Sequence, residues 1–247
     1  MKRGTTDPVA SVRALLEHPD RAAVDQGLAL ARALPPAACR TLLAGTFLGD
    51  GRREVNYRTP PAGTLVLGAM KGPHAAYAAL TLLLRAPGRR PLRELHVRER
   101  TLTHLPEELF EERTLVDLEV SDSALTELSP RIGELVHLER LACGQATLTA
   151  LPEALGDLQE LVWLDLYGFG GTELPASIGR LAALEGLDLE NTKLEKLPDL
   201  SGCTRLHWLL TDREQCLFLY STSHARAVTR HDREAPVRVL PGHSRQR

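Results

Sequence analysis

Leu92, Leu115, Leu138, Leu161 and Leu184 stand 23 residues apart, and each opens the same phrase, with apolar residues three and five places on. The third-place residues are Leu95, Leu118, Leu141, Leu164 and Leu187; the fifth-place residues are Val97, Val120, Cys143, Leu166 and Leu189. A lone helix or strand keeps one period along its length, whereas each of these units alternates first and then widens its spacing. A fixed long period of this kind calls for a stack of like units, because one unit cannot bury its apolar face alone.

Further columns hold the same register. Ten places after the opening leucine come Leu102, Leu125, Leu148, Gly171 and Leu194, and thirteen places after it Leu105, Leu128, Leu151, Leu174 and Leu197. Pro106, Pro152, Pro175 and Pro198 follow, with Ser129 and then Pro130 in the second unit, and Leu109, Ile132, Leu155 and Ile178 complete the inward set. With its phrase Leu174-Pro175-Ala176-Ser177-Ile178-Gly179-Arg180-Leu181, the array resembles the leucine-rich repeat family, in the intracellular 23-residue form LPxxIxxLxxL. The resemblance covers residues 92–211, as five full repeats and a partial sixth begun by Leu206 and Leu209. It implies an α/β fold, a leucine-rich repeat solenoid with a curved parallel sheet on its concave side. One departure stands out at the ninth place, where the family usually stacks asparagines and this chain has Arg100, Ser123, Ala146, Phe169 and Thr192. Ser and Thr can hydrogen-bond the turn there; Ala and Phe cannot.

The first third of the chain reads as helices that cap the array. Asp7-Pro8 is a cap followed by a first-turn proline, Pro19-Asp20 restarts the chain, and Pro35-Pro36 opens a third helix through Leu42 and Leu43. Thr64-Leu65-Val66-Leu67 reads as a strand and His74 to Leu84 as an apolar helix. The expected organisation is a helical N-terminal region over 1–60, a capping half-repeat over 61–91 that covers the open sheet edge, repeats over 92–211, and a C-terminal cap and basic tail over 212–247.

Charge is unevenly spread behind a net −2. Residues 1–91 carry 13 basic and 6 acidic groups, residues 92–211 carry 10 and 22, and residues 212–247 carry 7 and 4. A strongly acidic array repels nucleic acid and attracts basic surfaces. No apolar run approaches the ~20 residues that span a bilayer, and the N-terminus lacks the apolar stretch of a signal peptide. Cys39, Cys143, Cys203 and Cys216 lie far apart, so the expected compartment is reducing and cytoplasmic, with no membrane and no nucleic-acid partner. Arginine outnumbers lysine by 26 to 4, which points to a G- and C-rich bacterial genome.

Catalytic signatures are missing. The chain has no GxSxG, HExxH or CxxC and no phosphate loop, so neither a catalytic residue nor a cofactor is expected. Cys203, His207, Cys216 and His224 match no common zinc spacing, and no metal site is expected from them.

The concave face carries more information, because equivalent residues of neighbouring repeats lie about 4.8 Å apart across a sheet. Two places after the opening leucine the column reads Glu94, Asp117, Arg140, Trp163, Gly186, Trp208; four places after, it reads His96, Glu119, Ala142, Asp165, Asp188, Leu210; six places after, Arg98, Ser121, Gly144, Tyr167, Glu190. Asp165 and Asp188 thus become like-charged neighbours with Glu190 beside them, and Trp163 and Trp208 flank Gly186 with a gap between the indoles. Trp163, Asp165, Tyr167, Asp188, Glu190 and Trp208 are therefore the expected partner-binding residues, a notch suited to an Arg or Lys side chain. The expected function is a non-enzymatic protein–protein interaction module, an adaptor or regulatory scaffold that recognises a basic partner surface. The alternatives are an effector linked to ubiquitin-ligase-type or signalling enzymes, for which the roughly 36 residues after the array are few, and a small-ligand or glycan receptor, for which the tryptophan pair is the cue.

Overall fold

The computed structural model describes residues 7–35, 38, 42, 64–67, 74–85 and 90–211, with 64–67 described by their backbone alone. Among these residues seven strands form one parallel sheet in chain order. They are β1 (Thr64–Leu67), β2 (Glu94–Val97), β3 (Asp117–Glu119), β4 (Arg140–Ala142), β5 (Trp163–Asp165), β6 (Gly186–Leu189) and β7 (Trp208–Thr211). Each pair from β2 to β6 is in register at 23 residues: Leu95 faces Leu118, Leu118 faces Leu141, Leu141 faces Leu164, and Leu164 faces Leu187. The chain is thus an open, solenoidal parallel sheet with helices at its N-terminal end.

The columns read from the sequence are the core. Val97, Val120, Cys143, Leu166 and Leu189 are all at most 3 % exposed, beneath a sheet whose other face is partly open. The first four repeats each return through a five-residue 3₁₀ helix, at Glu107–Glu111, Pro130–Glu134, Glu153–Asp157 and Ala176–Arg180. Pro106, Pro152 and Pro175 precede three of these helices; in the second repeat Ser129 takes that place, and its hydroxyl accepts from the Arg131 amide at 3.3 Å. Gly156 sits where adjacent 3₁₀ backbones meet, and a Cβ there would lie 2.4 Å from the Ser177 carbonyl oxygen. Some of the array's acidic groups are paired one repeat along: Glu160 with His137 at 3.1 Å, Asp157 with Arg180 at 3.0 Å and Glu173 with Lys196 at 2.8 Å.

The ninth place works without asparagine. The Ser123 and Thr192 hydroxyls donate to the carbonyls of Val120 (2.8 Å) and Leu189 (3.0 Å). At Ala146 and Phe169 the main-chain amide itself donates to the carbonyl three residues back, Cys143 at 3.3 Å and Leu166 at 2.9 Å. Phe169 is buried in the core, and its ring fills the space beside Gly171. The two exceptions of repeat four are therefore one exchange: a phenyl enters at the ninth place and a leucine leaves two positions on.

At the N-terminal end, α1 (Pro8–Leu16) is capped by the Asp7 carboxylate and α2 (Arg21–Ala31) by that of Asp20. Helix α3 (Ala75–Leu84) is apolar on more than one side, because two cores share it. Ala76, Leu80 and Leu84 join the repeat core, while Ala75, Ala78, Ala79 and Leu82 pack with Val12, Leu16, Val24 and Leu28 of the first two helices. Strand β1 continues the sheet, with Thr64 facing Glu94 and Leu67 facing Val97. Of the third helix expected after Pro35, only Ala38 and Leu42 are among the described residues, both helical. The expected C-terminal cap and tail lie outside them.

Candidate functional site

The exposed face of the sheet is shaped by side-chain size. On β4 and just beyond it, Ala142 and Gly144 place almost nothing above the sheet, while Glu119 and Ser121 on one flank and Asp165 and Tyr167 on the other stand higher. The result is a cleft of about 410 Å³, whose rim also includes Arg98, Arg140 and Asp188. Gly144 keeps it open: a Cβ there would lie 3.2 Å from Oδ1 of Asp165.

The acid groups around this cleft differ in their partners. Arg98 donates to Glu119 at 2.7 Å, closing that pair at one wall. Asp117 lies below, 3.8 Å from the Arg140 guanidinium and 3.6 Å from Nε2 of His96. Burial holds the Asp117 carboxyl above its ordinary value, against the opposing pull of Arg140 and His96. Asp165 and Asp188 face each other on adjacent strands, as their 23-residue spacing requires. Each uses one carboxylate oxygen to accept the backbone amide two residues on, Tyr167 for Asp165 and Glu190 for Asp188, both at 2.9 Å. Those bonds tie each carboxylate to the backbone just after it.

Of the six residues expected to bind a partner, Asp165, Tyr167 and Asp188 line the cleft, and Trp163, Glu190 and Trp208 do not. The gap expected between the two indoles is closed. A Cβ on Gly186 would stand 2.1 Å from Cε3 and Cζ3 of Trp163, so the Trp163 ring lies over the glycine and occupies that space itself. An apolar ring beside a residue with no side chain gains more by covering its backbone than by standing in water. Arg98, Glu119, Arg140, Ala142 and Gly144 were not singled out from the sequence. The signal that could have found them is the dip in side-chain size at Ala142 and Gly144, between larger neighbours in the same columns.

Among the described residues, the two thiols, Cys143 and Cys203, are buried packing groups. Burial, with a smaller push from Asp165, raises Cys143 to about 12, and burial raises Cys203 to about 11. Cys203 donates to the Ile178 carbonyl at 3.2 Å, and Cys216 and His224 lie outside the described residues.

Comparison with known proteins agrees with the architecture. No family model matches the chain, and no curated protein does. Among solved structures it is similar to a leucine-rich repeat protein of Leptospira interrogans, at 25% identity and a TM-score of 0.50 over 61% of this chain and 36% of that one. The chain has the leucine-rich repeat fold. A looser likeness is to an internalin of Listeria monocytogenes, at 13% identity and a TM-score of 0.38 over 83% of this chain and 55% of that one. This leucine-rich repeat chain thus spans about a third of the length of the Leptospira protein and just over half of the internalin. Among its described residues, no helix is long and apolar enough to cross a membrane.

Proposed function

We propose that this chain is a protein-binding module, an adaptor or regulatory scaffold, whose concave face receives a basic side chain from a protein partner in the cleft over Ala142 and Gly144. The observation that carries this reading is the state of Asp165. One of its oxygens accepts the Tyr167 amide, and the other makes no hydrogen bond with any described residue, beside a second carboxylate at Asp188 on the neighbouring strand. Like charges directly opposite on a sheet cost roughly 0.2–1 kcal/mol, and a cation between them reverses the sign of that interaction. Tyr167 adds an aromatic side chain to the same wall, a residue type that suits a guanidinium or ammonium. A solenoid presents such a face as an extended surface, which suits a protein segment.

The test is capture of short immobilised Arg- or Lys-containing peptides by the full chain, read by surface plasmon resonance across a salt series. Retention that weakens with added salt is expected, since exposed charges are screened over about 8 Å at physiological ionic strength. Replacing both carboxylates, Asp165→Lys with Asp188→Lys, should abolish capture while circular dichroism stays unchanged. Capture that survives the double reversal in a folded protein would overturn the assignment.

A further inference from the structure

The same cleft has a guanidinium without a hydrogen bond as well as a carboxylate with one oxygen left over. Arg140 is the first residue of β4, its side chain is 50 % exposed, and its only ion-pair partner among the described residues is Asp117 at 3.8 Å. That distance is an electrostatic contact without a hydrogen bond, and the guanidinium donates to no described residue. By contrast Arg98, across the cleft, is already tied to Glu119 at 2.7 Å. Arg140 does not turn to Asp165 because Asp117 draws it the other way, from the strand on its opposite side. A cation and an anion therefore lie apart as diagonal neighbours on adjacent strands, beside the bare floor of Ala142 and Gly144.

Their spacing defines a ligand. Ala142 pairs with Asp165, so Arg140 is one strand across from Asp165 and two residues back along it. With about 4.8 Å between strands and about 3.3 Å per residue, the two Cα positions are roughly 8 Å apart. In an extended peptide, residues i and i+2 point to the same side and stand about 7 Å apart. We infer that the cleft reads an extended protein segment with a basic residue and an acidic residue two positions apart, the basic one against Asp165 and Asp188 and the acidic one against Arg140. This rests on the protein-binding role proposed above and adds the second charge and its spacing. Arginine suits the acidic-residue end because a guanidinium takes a carboxylate with two parallel N–H donors. The cleft's 410 Å³ falls in the range of roughly 300–1,000 Å³ found for pockets that enclose compact ligands, which is room for a few side chains and not for a folded surface.

Four immobilised peptides test this with the full chain: Arg-x-Glu, Arg-x-Gln, Arg-Glu adjacent, and Arg-x-x-x-Glu, each within the same neutral flanks. The expected result is that Arg-x-Glu binds about fivefold more tightly than the other three, the size of a partly exposed charge pair. In Arg140→Gln that preference should disappear while the weaker binding of Arg-x-Gln stays as it was. In Asp165→Asn with Asp188→Asn, all four should weaken. If the wild-type chain binds Arg-x-Gln as tightly as Arg-x-Glu, and the two Asn substitutions still weaken both, the dipolar reading is overturned and the basic-side-chain reading stands. If none of the peptides binds, or the Asn substitutions change nothing, both readings fall. Equal affinity for the free tripeptide Arg-Ala-Glu and for the flanked Arg-x-Glu peptide would also overturn the inference, by making the ligand a small zwitterion.

Discussion

Restoring the repeat consensus at position 171 should damage this protein, and the damage should be relieved by restoring it at position 169 as well. A Cβ on Gly171 would stand 2.6 Å from Cε1 and Cζ of Phe169 and 2.3 Å from the Thr149 carbonyl oxygen, contacts real side chains do not make. Gly171→Leu must therefore push aside both a ring and a strand of backbone. Overpacking of this sort costs about 1–3 kcal/mol, and the backbone contact places this case toward the upper end. Phe169→Asn empties a site whose side chain is 3 % exposed, and removal of a buried phenyl costs about 3–5 kcal/mol. In the double variant the leucine enters the space the phenyl leaves, so the combined loss should fall short of the sum by about 2 kcal/mol. Urea unfolding followed by far-ultraviolet circular dichroism measures all four corners of this cycle, with m-values compared because repeat arrays can depart from two-state behaviour. Additivity to within about 0.5 kcal/mol, or a neutral Gly171→Leu, would refute the view that the two residues are one exchange.

Three further outcomes follow from the same geometry. Gly186→Ala should displace the Trp163 ring and shift the tryptophan emission spectrum, since a Cβ there would stand 2.1 Å from the indole; an unchanged spectrum would mean the ring does not cover the glycine. Gln145→Gly should stabilise the chain by up to about 1 kcal/mol, because Gln145 holds φ 56°, a left-handed conformation costly for a residue with a Cβ; thermal or urea denaturation would read the gain. Native Cys143 should resist alkylation at pH 8, as read by site-resolved mass spectrometry. Its thiol lies near 12 when folded against an ordinary 9.0, so its contribution to stability is complete below pH 9 and is lost as pH rises from there toward 12.

The array was legible because its information is periodic. A column such as Leu95, Leu118, Leu141, Leu164 and Leu187 repeats the same requirement five times, and burial of each member tests the register independently. The apposition of Asp165 and Asp188 followed from the same count. The indole of Trp163 did not, because register fixes where a side chain starts and not which way it turns. The turn depends on a neighbour's missing Cβ at Gly186, a property of two repeats that differ. The cleft was hidden for the same reason. Attention to large and charged residues leads to Trp163 and Trp208, whereas Ala142 and Gly144 shape the surface by what they lack. The exchange of Phe169 and Gly171 reads as two defects until the ring is seen to fill the space of the missing leucine.

Helix α3 sets a limit on how this molecule can change its length. Interior junctions between repeats are nearly interchangeable, since each unit meets only a unit like itself on either side. A duplicated stretch of 23 residues placed among them would meet the same leucines it left. The junction at α3 has no such freedom, because Leu80 and Leu84 face the repeats while Ala78 and Leu82 face the paired helices, within three turns of one helix. A repeat gained or lost there would have to remake two cores at once. Lengthening or shortening by whole units is thus confined to the interior, where β4 also carries the floor of the cleft, so a change in repeat number would redraw the binding face and leave the helical end as it is.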